Sequence, residues 1–201
     1  MRRKAFVLFV LFIAALLAVV GCTQPAAQNA VAQQTISQSS HSPAVSRDLV
    51  LMETTAGNIT IALDPEMPVT AGNFESLVRK GFYNGVIFHR VIPGFVIQGG
   101  DPTGTGTGGP GYTIRDEFTS HNHNVRGSVA MANAGPDTGG SQFFINLADN
   151  SGRPGFDSNY PVFGSVIQGM DVVDAIARER TTGPPNDRPL EPVTIIRAEV
   201  L

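Results

Sequence analysis

The chain has 201 residues, 42% of them hydrophobic and 15% charged, with a formal net charge of −3. That balance argues against nucleic-acid binding, which relies on basic surface. A single cysteine excludes an internal disulfide and a cysteine-built metal cage.

Met1-Arg2-Arg3-Lys4 is a positive start, and Ala5 to Val20 is an unbroken apolar run of 16 residues. The run is short for a membrane-spanning helix, which needs ~20 residues. It reads as a signal peptide. Val19-Val20-Gly21-Cys22 is similar to a bacterial lipobox, so residues 1–21 are expected to be removed and Cys22 to carry lipid. A plain signal peptide with an incidental cysteine, or an uncleaved anchor, are the alternatives. Loss of residues 1–21 removes three basic side chains and leaves 11 basic against 17 acidic, a balance of −6. Residues 22–47 are rich in Gln, Ala, Ser and Asn without periodicity and read as a flexible tether. Residues 48–201, about 150 in all, suit one domain with one core.

Residues 49–54 and 59–63 read as two strands joined by a turn at Ala56-Gly57-Asn58, an antiparallel hairpin. Val69, Phe74, Leu77 and Val78 carry amphipathic helical spacing over residues 69–80, closed by Gly81 with Arg79 and Lys80 in the last turn. Residues 88–101, FHRVIPGFVIQGGD, read as strand, turn at Pro93-Gly94, strand. An unpaired guanidinium is costly between buried apolar neighbours, so Arg90 either pairs with something or faces a site. His89 reads as a structural histidine with satisfied nitrogens, not an acid or base.

Residues 101–112, DPTGTGTGGPGY, formally satisfy G-x-G-x-x-G at Gly104, Gly106 and Gly109. Pro110 follows, no helix begins there, and no Lys-Ser/Thr closes the motif, so a surface loop is expected and not a phosphate site. His121 and His123 sit two apart in a polar segment with no third ligand nearby, which favours an exposed loop over a metal site. Residues 127–131 and 141–147 read as strands. In the second, Gln142 and Phe144 share one face and Phe143 and Ile145 the other. An amide beside an aromatic ring suits a ligand face. Gly140-Ser141-Gln142 lacks the second glycine of a nucleophile elbow, which speaks against a hydrolase. Residues 149–159 form a polar loop containing Phe156, 160–168 a strand, 169–180 a helix, 181–189 a Gly/Pro loop and 193–200 a last strand. Seven or eight short strands separated by turns predict a mainly β fold, a closed antiparallel barrel with two helices plugging its ends.

Three stretches together resemble the cyclophilins: residues 88–101, then Met131-Ala132-Asn133-Ala134-Gly135-Pro136, then Gly140-Ser141-Gln142-Phe143-Phe144-Ile145. Tyr160-Pro161-Val162-Phe163-Gly164 is similar to a fourth. The resemblance covers residues 48–201. It implies a closed eight-stranded barrel capped by two α-helices, with the site on its outer wall, and peptidyl-prolyl cis–trans isomerase activity on proline-containing polypeptides without cofactor or metal. By position, Arg90 matches the catalytic arginine. Phe95, Val96 and Phe144 match the proline pocket, Gln98 and Gln142 its polar rim, and Ala132, Asn133 and Ala134 the groove for substrate backbone. Phe156 and Tyr160 fall near the remaining pocket positions. The sequence departs from the family at Val96, where methionine is common, at Tyr160, where some members have histidine, and in having no tryptophan.

The resemblance, taken with the lipobox-like start, implies a monomeric isomerase, lipid-anchored outside the cytoplasm of a bacterium, that assists folding of exported proteins. A peptide-binding or chaperone module without catalysis, on the same fold, is the alternative from another class.

Overall fold

Residues 48–201 are described in the computed structural model, so the signal segment, Cys22 and the whole tether of residues 22–47 lie outside the described residues. Strand β1 (Leu49–Thr54) and strand β2 (Gly57–Leu63) form the expected hairpin, paired from Leu49–Ala62 to Thr54–Gly57. The turn needs Gly57: its φ is 131°, and a Cβ there would sit 2.8 Å from Cγ2 of Val172.

Helix α1 (Thr70–Arg79) follows within a residue of the predicted span. Its N-cap, Val69, cannot satisfy the first amides from its own side chain. Glu117, distant in sequence, does so instead: its Oε2 accepts from the amides of Val69 and Thr70 at 3.0 Å each. The buried face of α1 sets Phe74 against Tyr83, Phe143 and Phe163, with ring centroids 5.0, 5.4 and 4.9 Å apart.

Strands β3 (Arg90–Ile92), β4 (Val96–Gly99), β5 (Ser128–Met131), β6 (Phe143–Asn146), β7 (Val162–Gln168) and β8 (Ile195–Val200) complete one eight-stranded sheet in the order β3-β4-β6-β5-β7-β2-β1-β8. Every pairing is antiparallel. The sheet curls around a core that includes Met52, Ile61, Phe88, Val91, Ile97, Val129, Phe143, Ile145 and Phe163, all essentially inaccessible to solvent.

Two expectations are corrected. The barrel is open, not closed: β3 and β8 end the order and do not ladder together. They are joined only near their N-terminal ends, by a bridge at Ile87–Thr194 and by bonds such as Phe88 N–H to Val193 C=O at 3.0 Å. The reason is local. β3 is three residues long, and its outward amide at Val91 donates to the carbonyl of Asp187, 2.9 Å away in the loop before β8. The loop therefore covers the edge a closing strand would need. The helix count also differs. α1 and α3 (Met170–Ile176) were foreseen, but the polar loop before β7 contains a further short helix, α2 (Phe156–Asn159). It forms because Asp157 and Phe156 each find partners on other segments, described below. Among the described residues no helix is long and apolar enough to cross a membrane.

Candidate active site

Cross-strand partners in a sheet project from the same face. The register therefore defines a transverse row: Arg90 opposite Gln98, Gln98 opposite Phe144, Phe144 opposite Ala130, and Ala130 opposite Val162. The neighbouring row, Val91, Ile97, Ile145 and Val129, points into the core and has no exposure. The first row consequently lies on the outer wall. The two motif-bearing stretches, 88–101 and 131–145, meet there.

A second apolar cluster, separate from the core, builds on that row. Val96, Ala130 and Phe144 are buried, with Phe95, Ala132, Phe156, Tyr160 and Val162 partly buried around them. Phe144 meets Tyr160 edge-on at 5.4 Å, and Phe156 lies 5.6, 5.8 and 4.8 Å from Phe95, Phe144 and Tyr160. Such a ring-lined site accepts a compact apolar group. Ala130 and Val162 were not singled out from the sequence; the period-two alternation from Ala132 back to Ala130 was the available signal.

Behind the rings, buried asparagines fix the loops that carry them. Asn150 donates to the Phe95 carbonyl at 3.2 Å and to Oδ1 of Asn146 at 2.8 Å, and Asn146 donates to Asn124 at 3.1 Å. Asn124 and Asn122 then donate to α2 and the Tyr160 carbonyl. Asp157 in α2 accepts from the Asn124 amide at 2.8 Å and faces Nδ1 of His123 at 2.9 Å. At the mouth, the guanidinium of Arg153 lies 4.4 Å from the Phe95 ring centroid, its Nε donating to Oδ1 of Asn150 at 3.0 Å. Arg153 had no periodic signal in the sequence.

The polar side of the row is organised by amides. Gln98 donates to Gln142 at 3.0 Å, and Gln142 donates to the carbonyls of Gly106 and Gly108. Next to them a cavity of about 640 Å³ is lined by Gln98, Gln142, the 132–134 segment and the 106–113 loop. The side chain of Asn133 is engaged by the Asn159 carbonyl at 2.7 Å. Its backbone N–H and C=O bond to no other described residue, so both remain available to an extended peptide.

The glycine-rich segment is more than a surface loop. It wraps the buried carboxylate of Asp101, which accepts from the amides of Thr103, Thr105, Gly106 and Gly108 at 2.7, 3.0, 2.6 and 3.1 Å. A Cβ at Gly108 would run into that carboxylate. Burial alone would raise the Asp101 pKa; the bonds from Thr103, Gly108 and Gly106 outweigh it and hold the group well below the usual carboxylate range.

Arg90 is 38% exposed at its side chain, and its Nε lies 4.0 Å from Oδ2 of Asp187, whose side chain is 14% exposed. Its neighbour His89 corrects the expectation of a satisfied histidine: it is buried, and neither ring nitrogen has a partner among the described residues. Burial, then Arg188 and Arg90, push its pKa down against the pull of Asp101. A neutral, unpartnered ring is no proton shuttle. His121 and His123 are exposed; His121 faces Asp64 at 3.0 Å and Glu66 at 4.0 Å, and His123 faces Asp157 at 2.9 Å. Among the described residues no group of three or more His, Cys, Asp or Glu is placed to hold a metal.

The profile of a family described as "Cyclophilin type peptidyl-prolyl cis-trans isomerase/CLD" matches residues 49–200. The chain is 48% identical over 157 residues to peptidyl-prolyl cis-trans isomerase ppi1 of Schizosaccharomyces pombe, covering 76% of this chain and 98% of that one. It is 39% identical over 181 residues to a putative peptidyl-prolyl cis-trans isomerase of Staphylococcus saprophyticus, covering 76% and 91%. Among solved structures, a cyclophilin-type isomerase of Cryptosporidium parvum superimposes with a TM-score of 0.71 at 32% identity, over 78% of this chain and 98% of that one. The same protein determined in the presence of the dipeptide Ala-Pro gives a TM-score of 0.70, again at 32% identity, over 76% and 98%.

Proposed function

The chain belongs to the cyclophilin-type peptidyl-prolyl cis–trans isomerase family and is an isomerase of X-Pro bonds, and from that premise we propose how its own residues do the work. An amide resists rotation because the nitrogen lone pair is conjugated with the carbonyl, a barrier of ~18–20 kcal/mol. Rotation needs no nucleophile and no proton transfer. A donor that favours the nitrogen as its lone pair localises lowers the barrier, and a thousandfold acceleration asks for about 4 kcal/mol.

Arg90 is that donor, always charged and planar. Phe95, Val96, Phe144, Phe156 and Tyr160 hold the pyrrolidine ring. The free backbone groups of Asn133 hold the chain on one side of the bond, with Ala132 and Ala134 flanking it. Gln98 and Gln142 line the polar rim. Holding both sides while the bond twists is selective stabilisation of the twisted state. The observation that carries this reading is the single outward row that sets Gln98 between Arg90 and Phe144.

A protease-coupled assay on a proline peptide tests it with the native chain and Arg90→Ala. Native acceleration that collapses in the variant is expected. An unchanged rate in the variant would overturn the role of Arg90, and binding without any native acceleration would favour the peptide-binding module.

The site works on exported chains, from a monomer held at a bacterial membrane by lipid on Cys22 across the tether of residues 22–47. The charged start, the apolar run and the small residues before Cys22 support this reading. The family match beginning only at residue 49 fits an N-terminal segment with a separate task.

A further inference from the structure

We propose that Asp187 is a positioning residue for the isomerase reaction, acting through Arg90. The inference rests on the reading of Arg90 as the donor to the prolyl nitrogen.

Asp187 belongs to the loop between α3 and β8, far from every motif that marks the site in sequence. The loop is built to present it. Thr181 bridges Pro189, the amide of Thr182 donates to the Arg188 carbonyl at 2.9 Å, and the amide of Asp187 donates to the Gly183 carbonyl at 3.0 Å. Thr182 Oγ1 accepts from the amide of Arg188 at 3.1 Å. The closed loop is then fastened to the site strand itself, through Val91 N–H to Asp187 C=O at 2.9 Å. Val91 is the residue after Arg90. One residue, Asp187, thus holds the strand by its backbone and faces the neighbouring guanidinium with its carboxylate.

The backbone does not explain the side chain. Asp187 has a φ of 47°, a left-handed conformation that asparagine and glycine adopt at least as readily. A carboxylate adds one thing there: a negative charge directed at Arg90. The Nε–Oδ2 distance of 4.0 Å makes an ion pair, too long for a direct hydrogen bond. With the carboxylate on the Nε side, the Nη1 and Nη2 donors remain for substrate; among the described residues Arg90 has no other ion-pair partner. A long arginine on a three-residue edge strand otherwise has many rotamers. Restricting them before substrate arrives is the kind of orientation on which rate depends steeply.

The test is a double-mutant cycle on kcat/KM for a proline peptide, with the native chain, Asp187→Asn, Arg90→Ala and the double variant. Asparagine keeps the carbonyl tie and the left-handed backbone while removing the charge; Asp187→Gly serves as a second variant with the same backbone allowance. The expected result is a loss of about fivefold in either Asp187 variant, carried in kcat more than KM, with melting temperature close to native. In the Arg90→Ala background the same change should have no further effect. A kcat/KM at or above native in both Asp187 variants overturns the inference. So does a loss that persists undiminished without Arg90, because a merely structural role would be additive. If Arg90→Ala is fully active, the reading of Arg90 itself falls and takes this inference with it; an impaired Arg90→Ala beside silent Asp187 variants removes the inference alone.

Discussion

Gln98 donates its side-chain amide to Oε1 of Gln142 at 3.0 Å, and Gln142 passes two bonds on to the carbonyls of Gly106 and Gly108 at 3.0 and 2.9 Å. The outward row of the sheet is thereby tied to the glycine-rich loop around Asp101. Gln142→Ala removes all three bonds. It should lower kcat/KM severalfold and cost about 1–3 kcal/mol in urea unfolding, since each intramolecular bond nets about 0.5–1.5 kcal/mol and these three are not fully buried. Native turnover in this variant would mean the loop and the row act independently.

Arg90→Ala should reduce kcat/KM by about two to three orders of magnitude, the usual loss for one preorganised donor to developing charge. Arg90 is half-exposed and outside the core, so the melting temperature should barely move. Arg90→Lys should recover little, because a point charge does not reproduce the planar fork.

Phe156→Ala should act on binding. The ring touches Phe95, Phe144 and Tyr160 but stands outside the main core. Affinity for a proline peptide, measured by isothermal titration calorimetry, should fall about tenfold, roughly the 1.4 kcal/mol expected for part of an aromatic contact. Stability should change less than for the fully buried Phe143.

Acidification should weaken the fold in two stages. Burial, followed by Arg188 and Arg90, holds the folded pKa of His89 below its unfolded value of about 6.5. Its contribution is complete above that value and is lost as pH falls through the lowered one. Asp101, raised by burial but lowered further by its hydrogen bonds, has a folded pKa below the unfolded value of about 3.9. Its contribution is complete above about pH 3.9 and disappears as pH drops through the folded value. Urea midpoints across pH should therefore begin to decline below about 6.5 and again below about 4. His89→Leu, which replaces two unpartnered nitrogens by apolar surface, should remove the first decline and leave neutral-pH stability near native. Asp101→Asn should shallow the second while destabilising the chain at neutral pH. Asp157 should preserve part of that slope: burial raises its pKa, but bonds from His123 and Asn124 bring it below normal.

Mass spectrometry of the mature N-terminus should find lipid on Cys22 and none of residues 1–21. An unmodified Cys22, or cleavage elsewhere, would end the lipoprotein reading.

The alternation around Phe144 made its outward face readable from sequence, and the turn at Pro93-Gly94 announced two strands carrying Arg90 and Gln98. The helix over residues 69–80 was equally plain, because Phe74, Leu77 and Val78 repeat at helical spacing. What escaped were partners supplied from elsewhere. Glu117 under the start of α1, Asp187 beside Arg90 and Arg153 over Phe95 all sit in irregular segments whose side chains have no period. The open seam escaped for the same reason: nothing in residues 181–189 says that its backbone will occupy the edge of β3. Asp101 ends a legible strand, yet its capture by four amides depends on the conformation of the loop that follows.

The alternation of β6 also shapes how this protein can vary over generations. Phe143 and Ile145 belong to the core, and Phe144 between them belongs to the separate outer cluster that the proposed function assigns to the ligand. Adjacent codons are thus under different selective demands. Exchanges at the inner positions are screened by whether the chain persists in the cell, and exchanges at the outer ones by which prolines it turns. A lineage can change its clientele without renegotiating the barrel that carries the site.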